Sequence, residues 1–256
     1  MSRARCSVGA ILLVFAVSHG VSAAEPGKTA PPKEPAPSTA DKEPSPKLPD
    51  PGPPLVDNAV ELKRLHPLQP VWLDVKQKRV VFLAEVCRAS YELEFFVVMR
   101  GREYESVLTT DVRPSFIHAG LLALGALPGR PVQRLPKFEP ASGSEVEIEV
   151  RWKDKEGKVR HARAQEWIRN EKTKKVLDAN WVFAGSVFST TDGGKRVYEA
   201  DRGDFISVAN VPTATLDLPI RSDSTMEGRL FEAFTERLPP KGTAVTVVLV
   251  PKVKKP

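Results

Sequence analysis

Between Glu145 and Trp152 the chain alternates without a break. Glu145, Glu147, Glu149 and Arg151 fall on one register, and Val146, Ile148, Val150 and Trp152 on the other. Successive side chains of a β-strand point to opposite faces, so this stretch has one charged face and one apolar face. A strand with one wet face belongs in an antiparallel sheet, because parallel sheets are covered on both sides. Asp154-Lys155-Glu156-Gly157 then supplies a turn, and Val159 to Ala164 returns as the second arm of a hairpin. Whatever this chain folds into must offer a sheet with a solvent-facing side.

Further strands follow the same reasoning. Val71, Leu73 and Val75 alternate with Trp72, Asp74 and Lys76. Apolar runs cover Val80 to Cys87, Leu93 to Met99, Trp181 to Ser186, Phe205 to Ala209 and Thr243 to Val250. Met226 to Arg237 reads equally as helix or strand. The segment from Glu103 to Gly129 carries the clearest helix signal. Pro114 suits the first turn, where its missing N–H has no partner to lose. Asp111 lies just upstream, placed to complement the helix dipole. Ile117, Leu121 and Leu124 form a buried stripe that Phe116 and Leu122 widen. Gly125 and Pro128-Gly129 stop the helix. Many strands and one or two short helices, without βαβ alternation, predict a single α+β domain of mostly antiparallel strands over residues 55–251.

The ends of the chain read differently. Residues 1–24 have the form of a secretory signal peptide: Arg3 and Arg5, an apolar run from Val8 to Val17, and small residues from Val21 to Ala24. That run is too short to span a bilayer, which needs about 20 residues, so no transmembrane anchor is expected after signal removal. Residues 25–54 hold eleven prolines and no aromatic residue. Such a composition cannot bury enough apolar surface to offset the entropy of ordering, and it predicts a disordered, extended linker. The formal charge is +6. Lys252, Lys254 and Lys255 concentrate much of that excess in the tail, residues 252–256. This is not the clustered basic face that nucleic-acid binding requires, and no nucleic-acid partner is expected. Cys6 leaves with the signal, so Cys87 alone remains; one thiol makes no internal disulfide and holds no iron–sulfur cluster. In its apolar surroundings Cys87 reads as a small buried hydrophobe.

Chemistry-bearing residues are sparse. The chain contains no G-x-S-x-G, H-E-x-x-H, Walker or G-x-G-x-x-G motif. Three histidines follow the signal: His66 before a proline, His161 on a hairpin strand among arginines, and His118 on the apolar helix. No pair has short metal-ligand spacing, so no metal site and no cofactor are expected. His118 is either a core-edge histidine bonded to a backbone carbonyl or a catalytic base or ligand. The candidate partners are Glu105 and Ser106, with Glu103, Asp111, Ser186 and Asp204 also open to a serine–histidine–acid arrangement. Asn210, Asp217 and the run Asp201 to Asp204 read as Asx turns at strand ends.

Several segments in order resemble the YdjY-like domain family of bacterial exported proteins. They are Glu103 to Leu108, His118 to Gly125, Trp181 to Ser186, Val208 to Asn210 with Leu216 to Pro219, and Phe231 to Arg237. Where members of that family tend to carry a histidine, this chain carries Tyr104. The resemblance covers about Val71 to Pro251 and implies an exported single-domain protein; it supplies no reaction. Together these readings predict a periplasmic or secreted envelope protein. Its domain would be a non-catalytic binding or structural module for a protein or wall-polysaccharide partner. The alternative is a hydrolase-type enzyme or a metal-dependent site centred on His118, with Glu105 or Ser106 beside it.

Overall fold

Apolar runs that are unbroken in sequence turn out to be strands covered on both faces. The computed structural model describes residues 52–87, 93–222 and 230–253. The expected signal peptide, the expected linker up to residue 51, and the lysines at 254 and 255 lie outside the described residues. The strands are β1 (Lys63–Arg64), β2 (Val71–Asp74), β3 (Arg79–Val86), β4 (Phe95–Met99), β5 (Ser106–Thr110), β6 (Glu145–Lys153), β7 (Val159–Arg163) and β8 (Ile168–Asn170). They continue with β9 (Trp181–Phe183), β10 (Phe188–Thr190), β11 (Arg196–Tyr198), β12 (Asp204–Ser207), β13 (Leu216–Asp217), β14 (Phe231–Ala233) and β15 (Ala244–Pro251). Among the described residues the single α-helix is α1 (Pro114–Ala123), and the other helical pieces are short 3-10 turns.

Eight of the strands close a barrel in the order β3, β15, β6, β9, β13, β12, β4, β5. The ring shuts where β5 returns to β3, pairing Glu85 with Thr109 and Val86 with Leu108. Two seams, β12–β13 and β4–β5, are parallel; the others are antiparallel. The expected α+β class is therefore wrong: this is a β-barrel domain with one helix. Six of the eight barrel strands were legible; β5 and β13 were not expected as strands. Their closure was not, because each pattern reports which faces are apolar and not which strand lies alongside. Closure also removes the open edges that an antiparallel sheet must otherwise protect.

The barrel interior is filled by Phe82, Phe96, Leu108, Ile148, Trp181, Phe183, Phe205, Val247 and Leu249, all essentially inaccessible to solvent. In β6 the alternation holds as expected: Val146, Ile148 and Val150 are buried, and the hairpin to β7 forms through Asp154. In β2 it does not. Val71 and Leu73 join the interior, while Trp72 packs on the outer surface with Val81 and Val248 under Val56 and Leu62. Asp74 is buried too, with Arg79 Nε donating to its carboxylate at 2.9 Å. The ambiguous segment 226–237 resolves into β14 and a 3-10 turn from Thr235 to Arg237; residues 223–229 lie outside the described residues.

Helix α1 begins with Pro114 in its first turn and ends before Gly125, whose φ of 84° is a left-handed stop. Ile117 and Leu121 are fully buried in the main core, and Phe116 and Leu124 pack against it. Leu122 is 45% exposed, so it does not widen the stripe: one residue past Leu121 it is rotated about 100° away. Gly120 permits the close seating on β3, since a Cβ there would lie 2.9 Å from Val80 Cγ2. The negative charge at the start of α1 also has an unexpected source. Asp111 pairs with Arg100 Nε at 3.0 Å, and the helix is capped instead by Asp201.

Candidate functional site

His118 is the one candidate around which the structure gathers other functional groups. After β9 the chain passes Ala184-Gly185-Ser186, with φ of 87° at Gly185 and 56° at Ser186. A Cβ on Gly185 would sit 2.8 Å from Pro128 Cβ and 3.8 Å from His118 Cε1, so only glycine lets this turn pass so close to the helix. The chain then forms the β10–β11 hairpin through Thr191-Asp192-Gly193-Gly194-Lys195, closed by Thr191 N–H to Lys195 O at 2.9 Å. A 3-10 turn, Glu199–Arg202, follows and docks on α1. There the Asp201 carboxylate accepts the Ser115 N–H at 2.9 Å and pairs with Arg113 at 2.9 Å. An acidic oxygen meeting the free N–H groups of a first helical turn is stabilised by hydrogen bond and dipole together. This clamp holds Tyr198, three residues earlier, against His118.

The Nδ1 of His118 lies 2.9 Å from the Tyr198 hydroxyl, which is 3.0 Å from Thr215 Oγ1. Tyr198 and Thr215 are buried, and the histidine is half-buried. Its ring meets Phe183 edge-on at 4.8 Å between centroids, Tyr198 at 5.1 Å and Phe188 at 6.5 Å. Phe188 is 49% exposed, and the Arg196 guanidinium lies 4.1 Å from its ring centre. Burial lowers the His118 pKa below its ordinary 6.5, because the cation loses hydration and no carboxylate replaces it. Burial likewise raises the Tyr198 pKa, so the phenol keeps its proton. The relay is neutral throughout. The far nitrogen, Nε2, has no protein partner among the described residues. It is not one of their two enclosed, unpartnered side-chain atoms, Gln165 Oε1 and Asp217 Oδ2, so it keeps contact with solvent.

The other predicted partners are elsewhere. Glu105 and Ser106 stand at the start of β5, about 13 Å of strand before the turn into α1 at 3.3 Å per residue. Ser106 is fully buried and donates to Leu108 O at 2.9 Å, which leaves its hydroxyl committed. Glu103 accepts the Gly101 N–H at 2.8 Å. Asp204 is held by Arg102 and Thr213. Ser186 is near Tyr198, yet its hydroxyl donates to Thr213 O at 2.6 Å and accepts Ala200 N–H. No serine–histidine–acid arrangement is assembled among the described residues. Tyr104 is exposed and lines a surface cavity of about 430 Å³ with Cys87, Arg100 and Lys241. Cys87 is buried, as expected, with its thiol pushed up to about 12 by burial and bonded to Ser106 O at 3.0 Å. His66 accepts the Leu68 N–H and meets the Phe116 ring, His161 lies in β7 opposite Arg151, and no group of three metal-ligating side chains occurs among the described residues.

Asn210 and Asp217 form a second polar group, and both are fully buried. Asn210, at φ 52°, donates to Leu218 O at 3.1 Å and faces Asp217 Oδ1 at 3.4 Å. Leu218 N–H also binds Oδ1, at 2.8 Å, and Oδ2 has no partner among the described residues. Burial pushes the Asp217 pKa up to about 7.

Sequence reasoning missed Tyr198, Thr215, Phe188 and Arg196, and read Asp201 as a turn residue and not as the cap of α1. The turn Asp192-Gly193-Gly194 was a legible hairpin signal for β10 and β11; nothing in the sequence linked that hairpin to α1. No helix of the described residues is long and apolar enough to cross a membrane. No curated protein and no solved structure matches the chain. A family model described as the YdjY domain matches residues 71–250. That span runs from β2 into β15, covers the whole barrel with α1 and the His118 relay, and places this chain in the YdjY domain family.

Proposed function

We propose that this is an exported envelope protein whose barrel domain binds a protein or wall-polymer partner without catalysing a reaction, and that the surface around His118 is its contact site. One observation carries the reading: the basic nitrogen Nδ1 is taken by a neutral hydroxyl relay, Tyr198 to Thr215. A general base for hydrolysis needs a nucleophile in hydrogen-bond reach and a group that stabilises its cation. His118 instead has aromatic rings, a hydroxyl and a lowered pKa. Such an arrangement supplies a fixed polar contact at the rim of an apolar surface, the usual makeup of a recognition site. The signal-like residues 1–24 and the proline-rich stretch after them support delivery to, and reach within, the envelope.

The test is co-sedimentation of the exported form, beginning at Ala24 or Glu25, with isolated envelope material. The protein should pellet with it, and His118→Ala with Phe188→Ala should reduce the pelleted fraction at least tenfold while the melting transition stays cooperative. Equal retention of the wild type and the double variant would overturn the site. Recovery of full-length protein from Met1 in the cytoplasm would overturn export.

A further inference from the structure

Closure of the barrel leaves the strand β7 outside the ring. It pairs with β6 alone, in an unbroken register from the Glu149/Arg163 pair to the Lys153/Val159 pair, and no other strand lies along its far edge among the described residues. The hairpin fixes which backbone groups face outward. Asp154 N–H donates to Lys158 O at 2.9 Å, so that pair is hydrogen-bonded. Bonded and non-bonded pairs alternate along an antiparallel ladder. Arg160 and Ala162 therefore bond to Trp152 and Val150, while Val159 and His161 turn their N–H and C=O groups away from β6. Those outward groups have no partner among the described residues, and both residues are exposed. The edge is also held in place. Ala162 and Trp152 pack on the main core. The Arg163 N–H meets Glu166 Oε1 and its guanidinium meets Asn180 Oδ1, each at 3.2 Å. An edge so fixed needs little ordering when a partner arrives.

Proteins usually blunt such an edge with proline, a bulge or a covering loop. β7 has no proline and no break in register, and Val159, Arg160, His161 and Arg163 are all exposed. Charge decides what can pair there. From Arg151 to Arg163 the hairpin holds six lysines and arginines against two acids. Asp154 is already occupied, by Arg160 Nε at 2.6 Å and by the Glu156 and Lys158 N–H groups. Lys153, Lys155 and Lys158 are exposed. A second copy of β7 would set Lys158, Arg160 and Arg163 against their like with no acid on either strand, and like charges across a ladder repel. The proline-rich residues 25–54 make a poor strand, because proline gives no N–H to a ladder. An extended segment carrying Glu or Asp meets both the backbone and the charge requirement.

We propose that the free edge of β7 binds an extended acidic segment of a partner protein by strand addition. The segment exchanges backbone bonds with Val159 and His161, and its carboxylates reach Lys158, Arg160 and Arg163. The backbone bonds supply affinity and the cations select the sequence. This inference does not depend on the reading of the His118 surface.

Fluorescence anisotropy of the exported form with a labelled heptapeptide of alternating Glu and Val tests it, at physiological ionic strength so that weak surface attraction is screened. The peptide should bind saturably, and at least tenfold more tightly than the same peptide with Lys in place of Glu. Methylating every backbone nitrogen of the peptide keeps its charge and removes its donors, and should weaken binding at least tenfold. His161→Pro removes an outward N–H and leaves the bonds to β6, since an edge strand accepts proline where the N–H faces solvent. It should weaken binding at least tenfold while the melting transition stays cooperative, and Arg163→Glu should weaken it several-fold. Equal binding of the methylated peptide to the unaltered protein overturns strand addition, whatever the proline variant does. Equal binding of the lysine peptide overturns the acidic occupant. A dimer in sedimentation that His161→Pro dissolves would give the edge to a second copy and overturn the proposal as well.

Discussion

Asp217→Asn should remove a pH dependence of stability that the wild type carries. Asp217 is fully buried; one oxygen accepts Leu218 N–H and faces Asn210, and the other has no partner among the described residues. Its pKa rises from 3.8 to about 7. The folded pKa thus lies above the unfolded one. Below about pH 4 the carboxyl is neutral in both states, and its contribution to stability is fully present. As pH rises the unfolded chain ionises first, so stability falls until the folded group also ionises near pH 7, and is flat above that. About three units at ~1.4 kcal/mol each set a ceiling of ~4 kcal/mol for the whole window. Between pH 5 and pH 8 the accessible share is ~2–3 kcal/mol. Asparagine has nearly the same shape and does not titrate. Urea unfolding of both proteins at half-unit steps should therefore show the wild-type advantage over the variant shrinking by ~2–3 kcal/mol from pH 5 to pH 8. A constant difference, within ~0.5 kcal/mol across that range, would refute the argument, because it would mean that the buried carboxyl titrates alike in both states.

Other consequences are simpler to check. Leu121→Ala opens a void in the core and should cost ~2–5 kcal/mol in denaturant unfolding, while Leu122→Ala, one residue on but exposed, should stay within ~0.5 kcal/mol. Asp201→Ala removes both the Ser115 cap and the Arg113 pair and should cost ~1–2 kcal/mol; an effect below ~0.3 kcal/mol would show that the 3-10 turn docks on α1 without it. An NMR titration of His118 should give a midpoint below 6.5, and a midpoint at or above that value would reveal a charge partner that the relay does not contain. In a protein beginning at Glu25, which lacks Cys6, the Cys87 thiol should react with a disulfide reagent at pH 8 only on unfolding, since its pKa near 12 leaves almost no thiolate.

Much of the local structure could be read before any coordinates. The alternation of β6, the hairpin to β7, the start and stop of α1, the burial of Ile117 and Leu121, and the inert environment of Cys87 all follow from side-chain periodicity and from Pro and Gly geometry. The order of the segments from Glu103 to Arg237 was also enough to indicate the family. The fold class was misjudged because no pattern announced closure, and burial was misjudged in β2. In β2 the alternation predicts one wet face, yet Trp72 is covered by Val248 and Val56 from other segments, and Asp74 by Arg79 of the next strand. Periodicity shows that two faces differ; it does not show what lies on the polar one.

The sequence by itself determined which segments extend, where the helix begins and ends, and that no familiar catalytic motif is present, because these depend on neighbours within a few residues. Tertiary structure alone decided the rest. It returned β5 to β3 and so closed the barrel, brought Asp201 to the start of α1, and set Tyr198 against His118 across 80 residues of chain. Those contacts depend on how strands order themselves around a shared core. That order is the collective result of packing all the apolar faces at once, and no local pattern encodes it. His118 shows the same limit: its place on the helix follows from local pattern, whereas the group that meets its Nδ1, a tyrosine hydroxyl from a distant hairpin, is decided by the fold.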